Sequence, residues 1–125
     1  MELRSLTRAE AEIMKIIWQL KKAYVKDILA NMPEPKPAYT TVATFLKILE
    51  KKQIVGHLTF GNSHEYYPIV GEEAYRRYEV KQLVENYFES SVTNLVSFFV
   101  MDKTLSEKDL NDLEEFIREK KKNSN

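Results

Sequence analysis

Cysteine is absent from the 125 residues, and glycine (three), proline (four) and histidine (two) are scarce. Without a thiol there can be no disulfide framework, no thiolate metal site and no Cys nucleophile. Three glycines do not make a phosphate-cradling loop, and His57 and His64 without clustered carboxylates are a thin ligand set, so neither metal nor cofactor is expected. No Ser/His/Asp arrangement and no carboxylate pair isolated in an apolar segment stands out. Glu65 beside His64 reads as a surface feature, and an enzyme is not expected. No apolar run approaches the roughly 20 residues of a membrane span and no signal-peptide core follows Met1. The expectation is a cytoplasmic protein without direct membrane binding.

What is present argues for a packed fold. Hydrophobic residues make up 43% and aromatics 11%, enough for a core and too much for general disorder. Net charge is zero, yet residues 1–70 hold ten Lys/Arg against seven Asp/Glu, and residues 71–125 hold nine against twelve. The imbalance points weakly to an anion met by the N-terminal part.

Thr7 followed by Glu10 forms a capping box ahead of a helix whose Ala9, Ile13, Ile16, Ile17 and Leu20 recur at helical spacing, with Met14 and Trp18 beside them. A shorter helix follows in "VKDILANM", with Val25, Ile28, Leu29 and Met32 turned inward, and "PEPKP" must end it. The third helix, "AYTTVATFLKILEKKQIV" over residues 38–55, buries Val42, Phe45, Leu46 and Leu49 at i, i+3, i+4 and i+7. Its other face carries Thr40, Thr41, Ala43, Thr44, Lys47 and Lys51, with Ile48 the one awkward residue and no carboxylate until Glu50. Water alone asks for no such bias, although a plain solvated face is the competing reading.

Two β-rich runs around Gly61-Asn62-Ser63 then make a hairpin. Three short helices and a hairpin add up to a winged helix-turn-helix, in which the third helix enters a DNA major groove. The fold expected is mainly α with a small β-hairpin wing: a winged-helix DNA-binding domain over 1–70 and a helical dimerisation region over 71–125. Threonine suits a groove because it offers both a hydroxyl and a methyl on a short side chain. The candidate DNA contacts are Tyr39, Thr40, Thr41, Ala43, Thr44, Lys47, Lys51 and Lys52, with Asn62, Ser63 and His64 at the wing tip. Lys26 and Arg8 are further phosphate candidates.

From Glu72 onward the chain is strongly helical and rich in aromatics. Leu83, Tyr87, Phe88, Leu95, Val96, Phe98 and Phe99 fall on apolar positions, and Ser106 caps a last helix striped by Leu110, Leu113, Phe116 and Ile117. Such a surface is costly to leave wet, and a two-fold partner covers it with its own copy. A homodimer on a pseudo-palindromic operator in double-stranded DNA is the expectation. The alternative class is a winged-helix protein–protein interaction module without DNA binding, since a scaffold does not dictate its use.

"YTTVATFLKILEKKQIV", the hairpin ending in "YYPIV", and Glu10, Ile13, Met14, Ile17 and Trp18 of the first helix resemble the penicillinase repressor family, the BlaI/MecI/CopY type of winged-helix regulators. The resemblance spans essentially the whole chain. It implies a homodimeric repressor of genes such as those for β-lactamase or copper handling, in some systems released from DNA when a membrane metalloprotease sensor triggers its cleavage. Three departures stand out. Ala43 and Ile48 occupy positions that are basic in the resistance repressors. The candidate cleavage region falls at Phe98 and Phe99 without the usual Asn before Phe. The Cys-rich copper motif of other members has no counterpart, which excludes copper sensing by that route.

Overall fold

The computed structural model describes residues 5–124, which form six helices and one two-stranded sheet. Helix α1 (Arg8–Leu20) starts with the capping box: Thr7 Oγ1 accepts the Glu10 N–H at 3.2 Å and Glu10 Oε1 accepts the Thr7 N–H at 2.9 Å. It buries Ile13, Met14, Ile16 and Ile17 and stops at Lys21, where φ is 72°. Helix α2 (Val25–Ala30) is only six residues long, and Asp27 steadies its start by accepting the Tyr24 N–H at 2.9 Å. Val25 and Ile28 are buried, with Leu29 and Met32 packed beside them.

After the Pro-rich turn, α3 (Tyr39–Lys51) sets Val42, Leu46 and Leu49 wholly inside and Phe45 half-buried against the same core. Each such aliphatic side chain contributes roughly 1.5–3 kcal/mol by leaving water. The helix ends in a Schellman motif: the Ile54 N–H donates to Leu49 O at 3.0 Å and the Gln53 N–H to Glu50 O at 2.9 Å. Gln53 takes the left-handed position, φ 64°, that glycine usually fills.

Strands β1 (Val55–Phe60) and β2 (Ser63–Pro68) pair antiparallel from Val55↔Pro68 to Phe60↔Ser63. The connecting turn is thus Gly61-Asn62 alone, with Gly61 at φ 62°, one residue tighter than the three-residue turn read from the sequence. A further bridge, absent from the sequence reading, joins Ala23 to Tyr66. The Ala23 N–H donates to Tyr66 O at 2.9 Å and the Tyr66 N–H to Ala23 O at 2.8 Å. It clasps the hairpin to the α1–α2 linker. Three packed helices with this hairpin beside them are a winged helix-turn-helix.

Helix α4 (Glu72–Tyr87) begins within the same unit. Tyr75 packs on the core, its ring 5.7 Å from that of Trp18, and its hydroxyl accepts the Leu6 N–H at 2.7 Å while donating to Glu79 Oε1 at 3.0 Å. Trp18 Nε1–H donates to Val70 O at 2.9 Å. Held by these contacts of Tyr75, the first turns of α4 belong to the compact unit that runs through Glu79.

The second unit runs from Val80. Its helical run is interrupted where the sequence suggested continuity: Glu89 and Ser90 adopt φ 50° and 60°, and Ser91 restarts the chain by accepting the Asn94 N–H at 3.1 Å. Helix α5 (Val92–Met101) follows, then α6 (Glu107–Asn123), capped by Ser106 and Asp109 in reciprocal bonds of 3.1 and 3.0 Å. Neither α5 nor α6 buries a single residue.

Candidate nucleic-acid interface

At 100° per residue, Thr40, Thr44, Lys47 and Lys51 line up opposite the buried Val42, Leu46 and Leu49. All four are exposed. Tyr39 and Ala43 lie on the flank toward the hairpin, and Thr41 on the other. The first turn contains no acid and Ala38 supplies no capping side chain, which leaves the positive end of the helix without a carboxylate of its own.

Between α3 and the hairpin runs an open groove of about 640 Å³. Tyr39, Ala43 and Lys47 form one wall, Phe60, Asn62, Ser63, His64 and Tyr66 the other, and Tyr24, Val25 and Lys26 close the end. Lysines 26 and 47 supply its charge, and none of these lining residues is acidic. Seven of the sequence-derived candidates thus meet at one place: Lys26, Tyr39, Ala43, Lys47, Asn62, Ser63 and His64. Tyr24 and Phe60 join them without a signal in the sequence, and Tyr66, readable as core or phosphate donor, is a core residue at the groove wall. Their signal is tertiary, since the Ala23–Tyr66 bridge is what brings the start of α2 against the hairpin.

Three candidates behave otherwise. Thr41 is exposed but lines a separate concavity with Ile13 and Phe45. Lys52 Nζ is held 2.9 Å from Oε2 of the buried Glu10, so its ammonium already has a partner within the fold. The Thr44 hydroxyl donates to Thr40 O at 2.9 Å, so it turns acceptor lone pairs and a methyl outward.

The groove's polar wall is tied together. His57 Nδ1 pairs with Glu50 Oε2, which draws the first acid of α3 onto the hairpin. The His57 and His64 rings stack with centroids 4.2 Å apart, and His64 Nδ1 lies 3.2 Å from Thr59 Oγ1. Burial, then the nearby Glu50 carboxylate and Tyr39, push the Tyr66 phenol above its usual range and keep it a neutral donor. The described residues contain no cluster of three or more His, Cys, Asp or Glu suited to a metal ion.

In the second unit the expected contact residues are poorly covered. Leu83, Tyr87, Val96, Phe98, Phe99, Leu110, Phe116 and Ile117 are exposed, Tyr87 and Phe116 to 76% and 72%. Phe88, Leu95 and Leu113 are half-buried. Phe98 meets Phe88 and Phe99 edge-on at 5.6 and 6.0 Å, and both Phe98 and Phe99 lie inside α5. None of the described helices is long and apolar enough to cross a membrane.

A family model described as penicillinase repressor matches residues 6–119. The penicillinase repressor of Bacillus licheniformis is 22% identical over 121 residues, covering 96% of this chain and 94% of that protein. Methicillin resistance regulatory protein MecI of Staphylococcus aureus (strain N315) is 25% identical over 116 residues, covering 92% and 94%. The solved CopR repressor structure matches 53% of this chain and 97% of its own at 33% identity, with a TM-score of 0.45.

Proposed function

The chain belongs to the penicillinase repressor family of transcriptional repressors, and from that premise we propose that it binds a pseudo-palindromic operator as a homodimer. The acid-free groove between α3 and the wing carries this reading. Thr40 and Thr44, at the N-terminal end of α3, are the base-edge readers, with Ala43 and Ile48 adding apolar contact. Lys26, Lys47 and Lys51 bind phosphates, and Asn62 and Ser63 at the wing tip hydrogen-bond the backbone. Arginine is absent from this face, so the sequence preference differs from one built on Arg–guanine pairs.

The apolar surface of the second unit supports a two-fold partner. Leu83, Tyr87, Val96, Phe99, Phe116 and Ile117 are all left exposed by the described subunit, and such apolar side chains are the usual material of a partner interface. Two linked half-sites raise affinity well above that of one. Release by a sensor protease acting near Phe98-Phe99 is the corresponding route of induction. That bond lies within α5, so cleavage requires a helical turn to open first.

Fluorescence anisotropy with DNA from the protein's own upstream region tests this reading. Tight binding that survives excess random duplex, and weakens linearly with log salt, is expected. Retention lost at modest ionic strength with no sequence preference would favour a module that binds protein instead.

A further inference from the structure

On the flank of α3 away from the wing lies a concavity of about 340 Å³. Ile13 of α1, Met32 after α2, Pro35 of the intervening turn and Phe45 of α3 form its apolar wall. The volume is at the lower end of the about 300–1,000 Å³ usual for small-ligand sites. Three prolines in the turn fix their own φ angles, so this side of the rim is organised before anything binds.

Its electrostatics have one sign. The charged groups on the lining are Glu12 and Glu34, and neither carboxylate has an ion pair among the described residues. The turn's own ammonium, on Lys36, is directed instead to Leu29 O at 2.6 Å. An aromatic face is also present in Phe45, whose ring attracts a cation rather than an anion.

We propose that this pocket binds a small lipophilic cation, a substituted ammonium with an aromatic or branched apolar body. The body displaces water from Ile13, Met32 and Pro35, and the charge lies between Glu12 and Glu34 beside Phe45. Quaternary or heavily substituted ammonium groups suit it better than a primary amine, because they give up less hydration on entering an apolar wall. Anionic compounds of the same shape are repelled by both carboxylates.

Benzyltrimethylammonium, titrated into the full-length protein at constant ionic strength and followed by two-dimensional NMR, provides the test. Saturable shifts confined to residues around this pocket are expected, with affinity roughly threefold or more above that of neopentylbenzene, its uncharged carbon isostere. The Glu12→Gln/Glu34→Gln double variant, altered only at exposed positions, should lose a comparable factor while keeping its spectrum elsewhere. Scattered or non-saturating shifts, equal affinity for the neutral isostere, or undiminished binding by the double variant would each overturn the proposal. None of these readouts involves DNA.

Discussion

The ammonium of Lys52 sits 2.9 Å from Oε2 of Glu10, a carboxylate that is 2% exposed. The other oxygen of Glu10 caps α1, so one side chain joins the start of α1 to the end of α3. Burial opposes the charge, but the Thr7 N–H and Lys52 outweigh it and hold the carboxyl below its usual range. A carboxyl depressed in the folded state adds stability above its unfolded value of about 4.3, and that stability is lost as pH falls through the folded value. Lys52→Met should therefore cost about 1–3 kcal/mol in urea unfolding at pH 7, with a smaller loss below pH 4. DNA affinity should stay near wild type, in contrast to Lys47→Met.

Thr44→Asp is expected to abolish operator binding with helix content unchanged by circular dichroism. It sets a carboxylate where a methyl and acceptor lone pairs face outward. Thr44→Val, which keeps the methyl, should cost far less than the acid. Equal affinities for wild type and Thr44→Asp would remove α3 from the interface.

Gln53 holds φ 64° at the end of α3. Replacing it with glycine relieves a left-handed strain of about 1 kcal/mol, partly offset by a more flexible unfolded chain. The expected outcome is a small net gain in stability, up to about 0.5–1 kcal/mol, read from the urea midpoint. A lower midpoint would mean that the Gln53 side chain contributes more than its backbone costs.

Tyr75 should titrate late. Burial first, then the Glu79 carboxylate, raise its phenol to about 12, despite the opposing Leu6 N–H. A group raised in this way favours the folded state below the unfolded value of about 10, and that contribution disappears as pH climbs toward 12. Ultraviolet titration should show a late-ionising tyrosine that is missing in Tyr75→Phe.

Phe99→Asp should halve the mass seen by light scattering and weaken operator binding. Phe99 is exposed in α5 amid other uncovered hydrophobics, so the charge disturbs little inside the subunit. An unchanged mass would assign this surface to some other occupant.

Much of the winged unit could be read from local pattern. The Thr7–Glu10 box, the Val42/Leu46/Leu49 stripe and a hairpin turning near Gly61 are decided by residues a few positions apart, although the turn is one residue shorter than its composition suggests. What escaped depends on distant pairs. Lys52 looked like any other lysine on a basic helix end, because Glu10 lies 42 residues away. Tyr75 had helical spacing suited to the tail, yet its hydroxyl is engaged by Leu6 and its ring by Trp18. The break at Glu89-Ser90 had a local hint in the Ser90-Ser91 pair, overlooked because apolar residues continue on either side. The groove was half legible: α3 and the wing tip were named, while Tyr24 and Phe60 join it only through tertiary pairing.

The Ala23–Tyr66 clasp consists of main-chain atoms alone, two bonds of 2.8 and 2.9 Å. An isolated two-stranded ribbon is marginal in water, so this anchorage sets how far the wing stands from α3. It works like the fixed jaw of a caliper. Exchanging side chains from Phe60 to His64 would change what the jaw grips while leaving its opening alone, so related regulators could diverge in target without refolding.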